Sequence, residues 1–236
     1  MVSLKINGRK IKAEEGMTIL QAARANDIEI PTLCSNDALK PYGACRLCVV
    51  EIEKNGRTTV DTSCTYPVGE GLEVKTHTPR VMDARKMVLE LHLARCPNVS
   101  IVQELAAEYG VTESSRQMGK DNEYCILCGL CVRACNEVVK AGAIQFAGRG
   151  PGKVVDSPFG KPADDCIACG SCAFICPTGV IPYWEKDGVR TIWGRDFELQ
   201  PCNVCGNYIA PKAQLEHWAR ITGDPVETFF VCKDCR

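Results

Sequence analysis

Histidine and tryptophan are scarce in this 236-residue chain, three of each, and aromatic residues make up only 6%. No Ser-His-Asp or paired-carboxylate pattern stands out, and no CxxC pair is followed by histidine, so covalent c-type haem is not indicated. Charge of one sign is also missing. Lys+Arg 28 against Asp+Glu 29 gives a formal charge of -1, which removes the electrostatic argument for nucleic acid as a partner. No run of 18 or more apolar residues occurs, so no membrane span is expected, and MVSLKINGRKIKAEEG has no basic-apolar-small export pattern. The stretch Gly148–Lys153 (GRGPGK) has neither the GxGxxG order nor the Ser/Thr of a P-loop and reads as a turn. The chain therefore shows no nicotinamide or flavin site of its own.

Cysteine is what the chain has in excess. Seventeen thiols are too many for packing, and an odd number does not close into intrachain disulfides. With no export signal the expected compartment is the reducing cytoplasm, where regularly spaced cysteines read first as metal ligands.

Along residues 1–77, Val2, Leu4 and Ile6 alternate before Asn7-Gly8, which predicts a hairpin with a type I′ turn. Thr18 can cap a helix over Ile19–Asn26. Leu47–Glu53, Thr58–Asp61 and Leu72–Lys75 read as strands, and the whole makes an α+β unit. Residues 78–120 read as a helical segment. Thr78-Pro79 opens one helix with Val81, Ala84, Val88 and Leu91 on one apolar face, and Gly110 closes a second over Ile101–Tyr109. Residues 184–198 read as a linker, and in 199–236 a helix over Pro211–Ile221 lies between two CxxC pairs.

Residues 121–183 hold an internal repeat. CILCGLCVRAC at Cys125–Cys135 and CIACGSCAFIC at Cys166–Cys176 begin 41 residues apart, and each has C-x2-C-x2-C-x3-C spacing. Three thiolates so spaced wrap one face of a [4Fe–4S] cube, and the fourth reaches the other cube. One cluster then takes Cys125, Cys128, Cys131 and Cys176, the other Cys135, Cys166, Cys169 and Cys172. Two zinc knuckles would leave the third and fourth cysteines of each motif unexplained. Gly129 and Gly170 allow the backbone close to the cluster. The pattern resembles bacterial two-[4Fe–4S] ferredoxins, with Asn136 where those usually have proline.

In the first block Cys34, Cys45, Cys48 and Cys64 can hold a [2Fe–2S] cluster, although the gap of ten residues after Cys34 departs from plant-type spacing. A four-thiolate zinc site is the alternative. Ile30-Pro31-Thr32-Leu33-Cys34, Tyr42-Gly43-Ala44-Cys45-Arg46 and Cys48 resemble the N-terminal ferredoxin domain of the large iron–sulfur subunit of respiratory complex I. That domain is shared with diaphorase subunits of NAD-linked [NiFe] hydrogenases and with iron-only hydrogenases. The resemblance implies a β-grasp [2Fe–2S] ferredoxin domain followed by a helical segment and then the two-cluster domain. In that family the helical segment carries a His-x3-Cys-x2-Cys-x5-Cys site for a further cube. His92 and Cys96 match its first two ligands, but Val99 and Leu105 stand at the other two. Two ligands do not hold a cube, so the expectation is a lost cluster with Cys96 as a small buried apolar residue.

At the C-terminus Cys202, Cys205, Cys232 and Cys235 form paired CxxC knuckles. Four thiolates with no open position describe a structural zinc ribbon, with a rubredoxin-like single iron as the alternative. His217 reads as a surface or packing residue. Sixteen of the seventeen cysteines are thereby assigned, Cys96 being the other.

These readings give an α+β chain with one [2Fe–2S] cluster, two [4Fe–4S] clusters and one Zn2+, with no catalytic residue. The expected role is electron transfer within an oxidoreductase complex. The resemblance implies a flavoprotein NAD(P)H dehydrogenase-type partner and a terminal redox enzyme, first a [NiFe] hydrogenase. Formate dehydrogenase subunits or a ferredoxin-linked bifurcating complex come next. An iron–sulfur regulatory sensor is the reading from another class.

Overall fold

The computed structural model describes residues 1–115, 124–160 and 163–236. The chain forms two compact units, residues 1–129 with 149–152, and residues 130–148 with 153–236. The junction expected at residues 120 and 121 lies outside the described residues.

In the first unit β1 (Val2–Ile6) and β2 (Arg9–Ala13) pair as the expected hairpin. Asn7 and Gly8 both take positive φ, 50° and 79°, which matches the turn to the twist of the strands. α1 (Ile19–Arg24) begins at a capping box in which the Thr18 hydroxyl accepts from the Gln21 N–H and the Gln21 side chain accepts from the Thr18 N–H. It stops short of Asn26, whose side-chain amide takes the Ala22 carbonyl, and Asp27 then turns left-handed. β3 (Val49–Lys54) and β4 (Arg57–Thr62) form a second hairpin through Asn55-Gly56, and β5 (Glu73–Lys75) completes the sheet. Strand order is β2-β1-β5-β3-β4, with β5 parallel to β1 and antiparallel to β3. Period-two alternation sends Leu4, Ile6, Ile11, Val50, Ile52 and Val74 to one face, where they share a core with Ile19, Leu20, Ala22 and Ala23 of α1. Each fully buried Ile or Leu contributes about 1.5–3 kcal/mol.

α2 (Pro79–Arg95) is capped by Thr78, and α3 (Ser100–Glu108) packs against it and ends at Gly110 in a left-handed turn. The buried stripe of α2 differs from the expected one. Val81, Arg85, Leu89 and Leu93 face inward, while Leu91 is 42% exposed. The helix is rotated because Arg85 finds backbone acceptors on the sheet, which removes most of the penalty of burying a cation.

In the second unit α4 (Leu130–Arg133) widens into a π-helical turn over Ala134–Val139. A hairpin of β6 (Gln145–Ala147) and β7 (Val154–Asp156) and the short α5 (Ser171–Phe174) follow. β8 (Tyr183–Lys186), β9 (Val189–Ile192), β10 (Arg195–Pro201) and β11 (Tyr208–Pro211) then form an antiparallel meander in the order β11-β10-β9-β8. The linker expected over 184–198 is therefore sheet. Its two turns, Asp187-Gly188 and Trp193-Gly194, each have two successive positive φ values, and of the pair Asp187-Gly188 is the turn signal legible in the sequence. α6 (Lys212–Thr222) packs on β10 and β11 and ends at Gly223 in the left-handed conformation. No helix among the described residues is long and apolar enough to cross a membrane.

Candidate metal centres

The loop before β3 and the turn after β4 bring Cys34, Cys45, Cys48 and Cys64 together, all buried. The loop folds back on its own sulfurs. The Leu33 N–H donates to Cys45 Sγ and the Cys45 N–H to Cys34 Sγ, both at 3.4 Å. Ser63 donates from its N–H and its hydroxyl to the Cys48 carbonyl, which fixes Cys64 beside Cys48. Gly43 and Arg46 take positive φ, and a Cβ on Gly43 would stand 3.2 Å from the Thr65 methyl. Hydrogen bonds from Cys45 and Cys64 hold the Cys34 thiol well below its usual range, and the same sharing with Cys34 drives Cys64 up. Such a set favours replacement of its shared protons by a metal core. The residues present fit a [2Fe–2S] cluster: four buried thiols, with the Leu33 and Cys45 N–H groups already aimed at sulfur.

α2 holds this loop from behind. Arg85, fully buried, donates from Nε to the Leu47 carbonyl (3.1 Å), from Nη2 to the Val49 carbonyl (2.8 Å) and from Nη1 to the Tyr109 hydroxyl (3.1 Å). It thus grips the backbone on both sides of Cys48. His92 Nε2 lies 3.0 Å from the Cys45 carbonyl. Burial pushes this imidazole below its ordinary range, so the neutral ring is the donor. Sequence reasoning missed Arg85, since a cation in a helix is by default assigned to the wet face. Cys96 is buried beside Val99, and burial raises its thiol to about 11; Leu105 lines an open groove with Ile28, Ile30 and Tyr109.

The two halves of the cysteine repeat have the same local backbone. Leu127 and Ala168 both have φ 52°, and Gly129 and Gly170 have 75° and 76°. Two left-handed residues per motif curl the chain so that N–H groups point inward, as with Leu127 N–H to Cys125 Sγ at 3.4 Å. A Cβ at Gly170 would lie 2.8 Å from the Tyr183 ring, so an aromatic neighbour also requires that glycine. Asn136 donates to the Val132 and Ile144 carbonyls, at 2.7 and 3.1 Å, in the place expected for proline. Within the second unit Cys135, Cys166, Cys169 and Cys172 line one cavity with Ile144 and Trp193. The Ala143 N–H donates to Cys135 Sγ at 3.3 Å. A pocket lined by four thiols and mostly apolar side chains fits a [4Fe–4S] cube. Arg190 of β9 supports the wall, donating to the Ala168 carbonyl at 2.8 Å and pairing with Glu185.

Cys202, Cys205, Cys232 and Cys235 have ligand atoms all within 4.8 Å of one another. Cys205 and Cys232 sulfurs stand 3.8 Å apart. That is the edge of a tetrahedron of sulfurs about 2.3 Å from a central ion, about 3.8 Å. N–H groups of Cys205, Cys232 and Val204 hold the Cys202 thiol down to about 6, making a thiolate ready for metal. His217 is not in the group; it is buried on α6 with Nε2 2.8 Å from the Val139 carbonyl.

With these thiol groups in place, comparison with known proteins defines the class. Residues 1–79 belong to the 2Fe-2S iron-sulfur cluster binding domain family, and residues 124–180 to the 4Fe-4S dicluster domain family. The chain is an iron–sulfur protein.

More particularly, it is 36% identical over 211 residues to the NADP-reducing hydrogenase subunit HndD of Solidesulfovibrio fructosivorans, which covers 77% of this chain and 36% of that protein. It is 34% identical over 204 residues to the NADPH-Fe(3+) oxidoreductase subunit alpha of Geobacter sulfurreducens, covering 77% of this chain and 24% of that one. The chain thus spans about a third or less of the length of these curated relatives. Among solved structures, a chain of the NAD+-reducing [NiFe]-hydrogenase in the H2-reduced state matches with a TM-score of 0.65 and 26% identity, covering 90% of this chain and 93% of that one.

Proposed function

We propose that this chain is the iron–sulfur electron-transfer subunit of a cytoplasmic NAD(P)-linked [NiFe] hydrogenase complex. It would carry electrons between a flavin subunit that oxidises or reduces NAD(P)(H) and the hydrogenase subunits. The observation that carries the reading is the match over 93% of a chain from an NAD+-reducing [NiFe]-hydrogenase, joined to twelve cysteines that suit three clusters. The ligand sets are Cys34, Cys45, Cys48 and Cys64 for [2Fe–2S], and for the cubes Cys125, Cys128, Cys131 and Cys176, and Cys135, Cys166, Cys169 and Cys172. Cys202, Cys205, Cys232 and Cys235 would hold Zn2+, which has no redox chemistry and fixes the shape of residues 199–236. The iron–sulfur clusters supply one-electron storage. The chain's own residues bury or half-bury the thiols and aim N–H groups at sulfur.

Anaerobic purification from the source cell with identification of the associated chains tests this. A flavoprotein and hydrogenase subunits should be recovered with it, and NADH–dye turnover should require the flavoprotein. Recovery with formate dehydrogenase subunits instead would move the terminal reaction, and turnover by the flavin-free chain alone would overturn the carrier role.

A further inference from the structure

The β9–β10 turn has an unexpected occupant. A two-residue type I′ turn needs positive φ at both positions and is ordinarily built from Asn, Asp or Gly. Here its first residue is Trp193, at φ 54°, followed by Gly194 at 70°. A bulky aromatic in the left-handed region is disfavoured on steric grounds, and it persists where the surroundings hold it. What holds it is the cysteine-lined cavity. Trp193 and the buried Ile192 form part of its wall, together with Cys135 and Ile144. The indole Nε1–H points at Cys172 Sγ, 3.5 Å away. Indole nitrogen is a donor only, so the direction of the bond is fixed.

From this geometry we infer that Trp193 is a positioning residue that sets the reduction potential of the cluster bound by Cys135, Cys166, Cys169 and Cys172. It acts by donating an N–H bond to the Cys172 thiolate. The inference rests on the [4Fe–4S] reading of those four cysteines. Reduction adds one electron to the cluster core and makes its thiolates more negative, so a donor at sulfur stabilises the reduced state more than the oxidised one. The bond therefore raises the potential. The meander that carries Trp193 is then part of the redox centre, and residues 184–198 do more than join two cysteine blocks.

The test is Trp193→Phe in the anaerobically purified full chain, read by potentiometric titration with electron paramagnetic resonance. The expected result is a fall of about tenfold in the reduced-to-oxidised ratio of one cube at fixed potential, ~59 mV for a one-electron couple. The signals of the other clusters serve as internal references and should not move. The sign separates two roles. If Trp193 only kept water out, its loss would admit solvent and raise the potential; an upward shift or no shift overturns the inference.

A measurement on the unsubstituted chain guards against a variant that fails to assemble. The chain has three tryptophans, Trp184, Trp193 and Trp218, and of these Trp193 borders the cavity. With 15N-indole tryptophan, pulsed resonance of the reduced cluster should show one 15N coupling, which the unlabelled backbone amides such as Ala143 N–H do not give; its absence overturns the inference. If the wild-type chain shows a single cube or none, the ligand assignment itself falls, and that outcome is told apart by iron content before any variant is made.

Discussion

Replacing Arg85 by methionine tests how the [2Fe–2S] loop is held. The side chain is fully buried and makes three hydrogen bonds, to the carbonyls of Leu47 and Val49 and to the Tyr109 hydroxyl. Among the described residues it has no carboxylate in ion-pair contact. Methionine keeps most of the stem and all of its flexibility, so the change removes donors and charge with little cavity. A bond from a charged donor contributes about 1.5–3 kcal/mol net, and a carbonyl left unpaired costs about 1–3 kcal/mol. Against this, the variant no longer desolvates a guanidinium, which returns several kcal/mol. The balance is a loss of about 3 kcal/mol, since two backbone carbonyls beside Cys48 lose their partner in an interior that water does not reach. For a unit of this size that is about 10 °C in Tm. The assay is anaerobic thermal bleaching of the [2Fe–2S] absorption, with hydrogen exchange over residues 45–49. Arg85→Lys should recover part of the loss, because one ammonium cannot span both carbonyls. A fall below about 1 kcal/mol, or equal destabilisation of the [4Fe–4S] signals, would refute the claim that Arg85 anchors this loop.

The purified chain should contain about ten iron atoms, from one [2Fe–2S] and two [4Fe–4S] clusters, and Cys96→Ala should leave that number unchanged. About fourteen would show that a further cube forms near His92 in spite of Val99 and Leu105. Cys232→Ser should remove the zinc and speed proteolysis of residues 199–236 while the three cluster signals remain; a reducible single-iron signal in place of zinc would make the module rubredoxin-like. His92 should make the first unit pH-sensitive. Burial lowers its folded-state value below the ordinary 6.5, so the unfolded chain binds the proton first on acidification. Its contribution is full above that ordinary value and is lost as pH falls towards the folded one. Thermal bleaching measured from pH 8 to 6 should therefore show a decline that His92→Gln flattens; equal slopes would refute the burial argument.

Thiol chemistry and local backbone rules were legible without a structure. Asn7-Gly8 and Asn55-Gly56 are turns because few other pairs accept two positive φ values, Thr18 and Thr78 cap helices because their hydroxyls reach an orphan N–H, and Gly223 ends α6. The four thiols at 202, 205, 232 and 235 were grouped by spacing alone, and the structure brings their sulfurs together. These features depend on neighbours a few residues away or on ligand types that only metal chemistry explains.

Tertiary structure decided what depends on distant partners. The face of α2 that is buried could not be read from hydrophobicity, because Arg85 is stable inside only where the Leu47 and Val49 carbonyls lie in reach. Residues 184–198 read as a linker because helical periodicity weakens after Pro182, yet pairing of β8, β9 and β10 makes them sheet and sets Trp193 against Cys172. A sequence fixes the reactive groups and the conformations each short segment prefers. Which buried cation finds acceptors, and which indole reaches a sulfur, follows from contacts between segments far apart in the chain, and those exist only once the chain has folded.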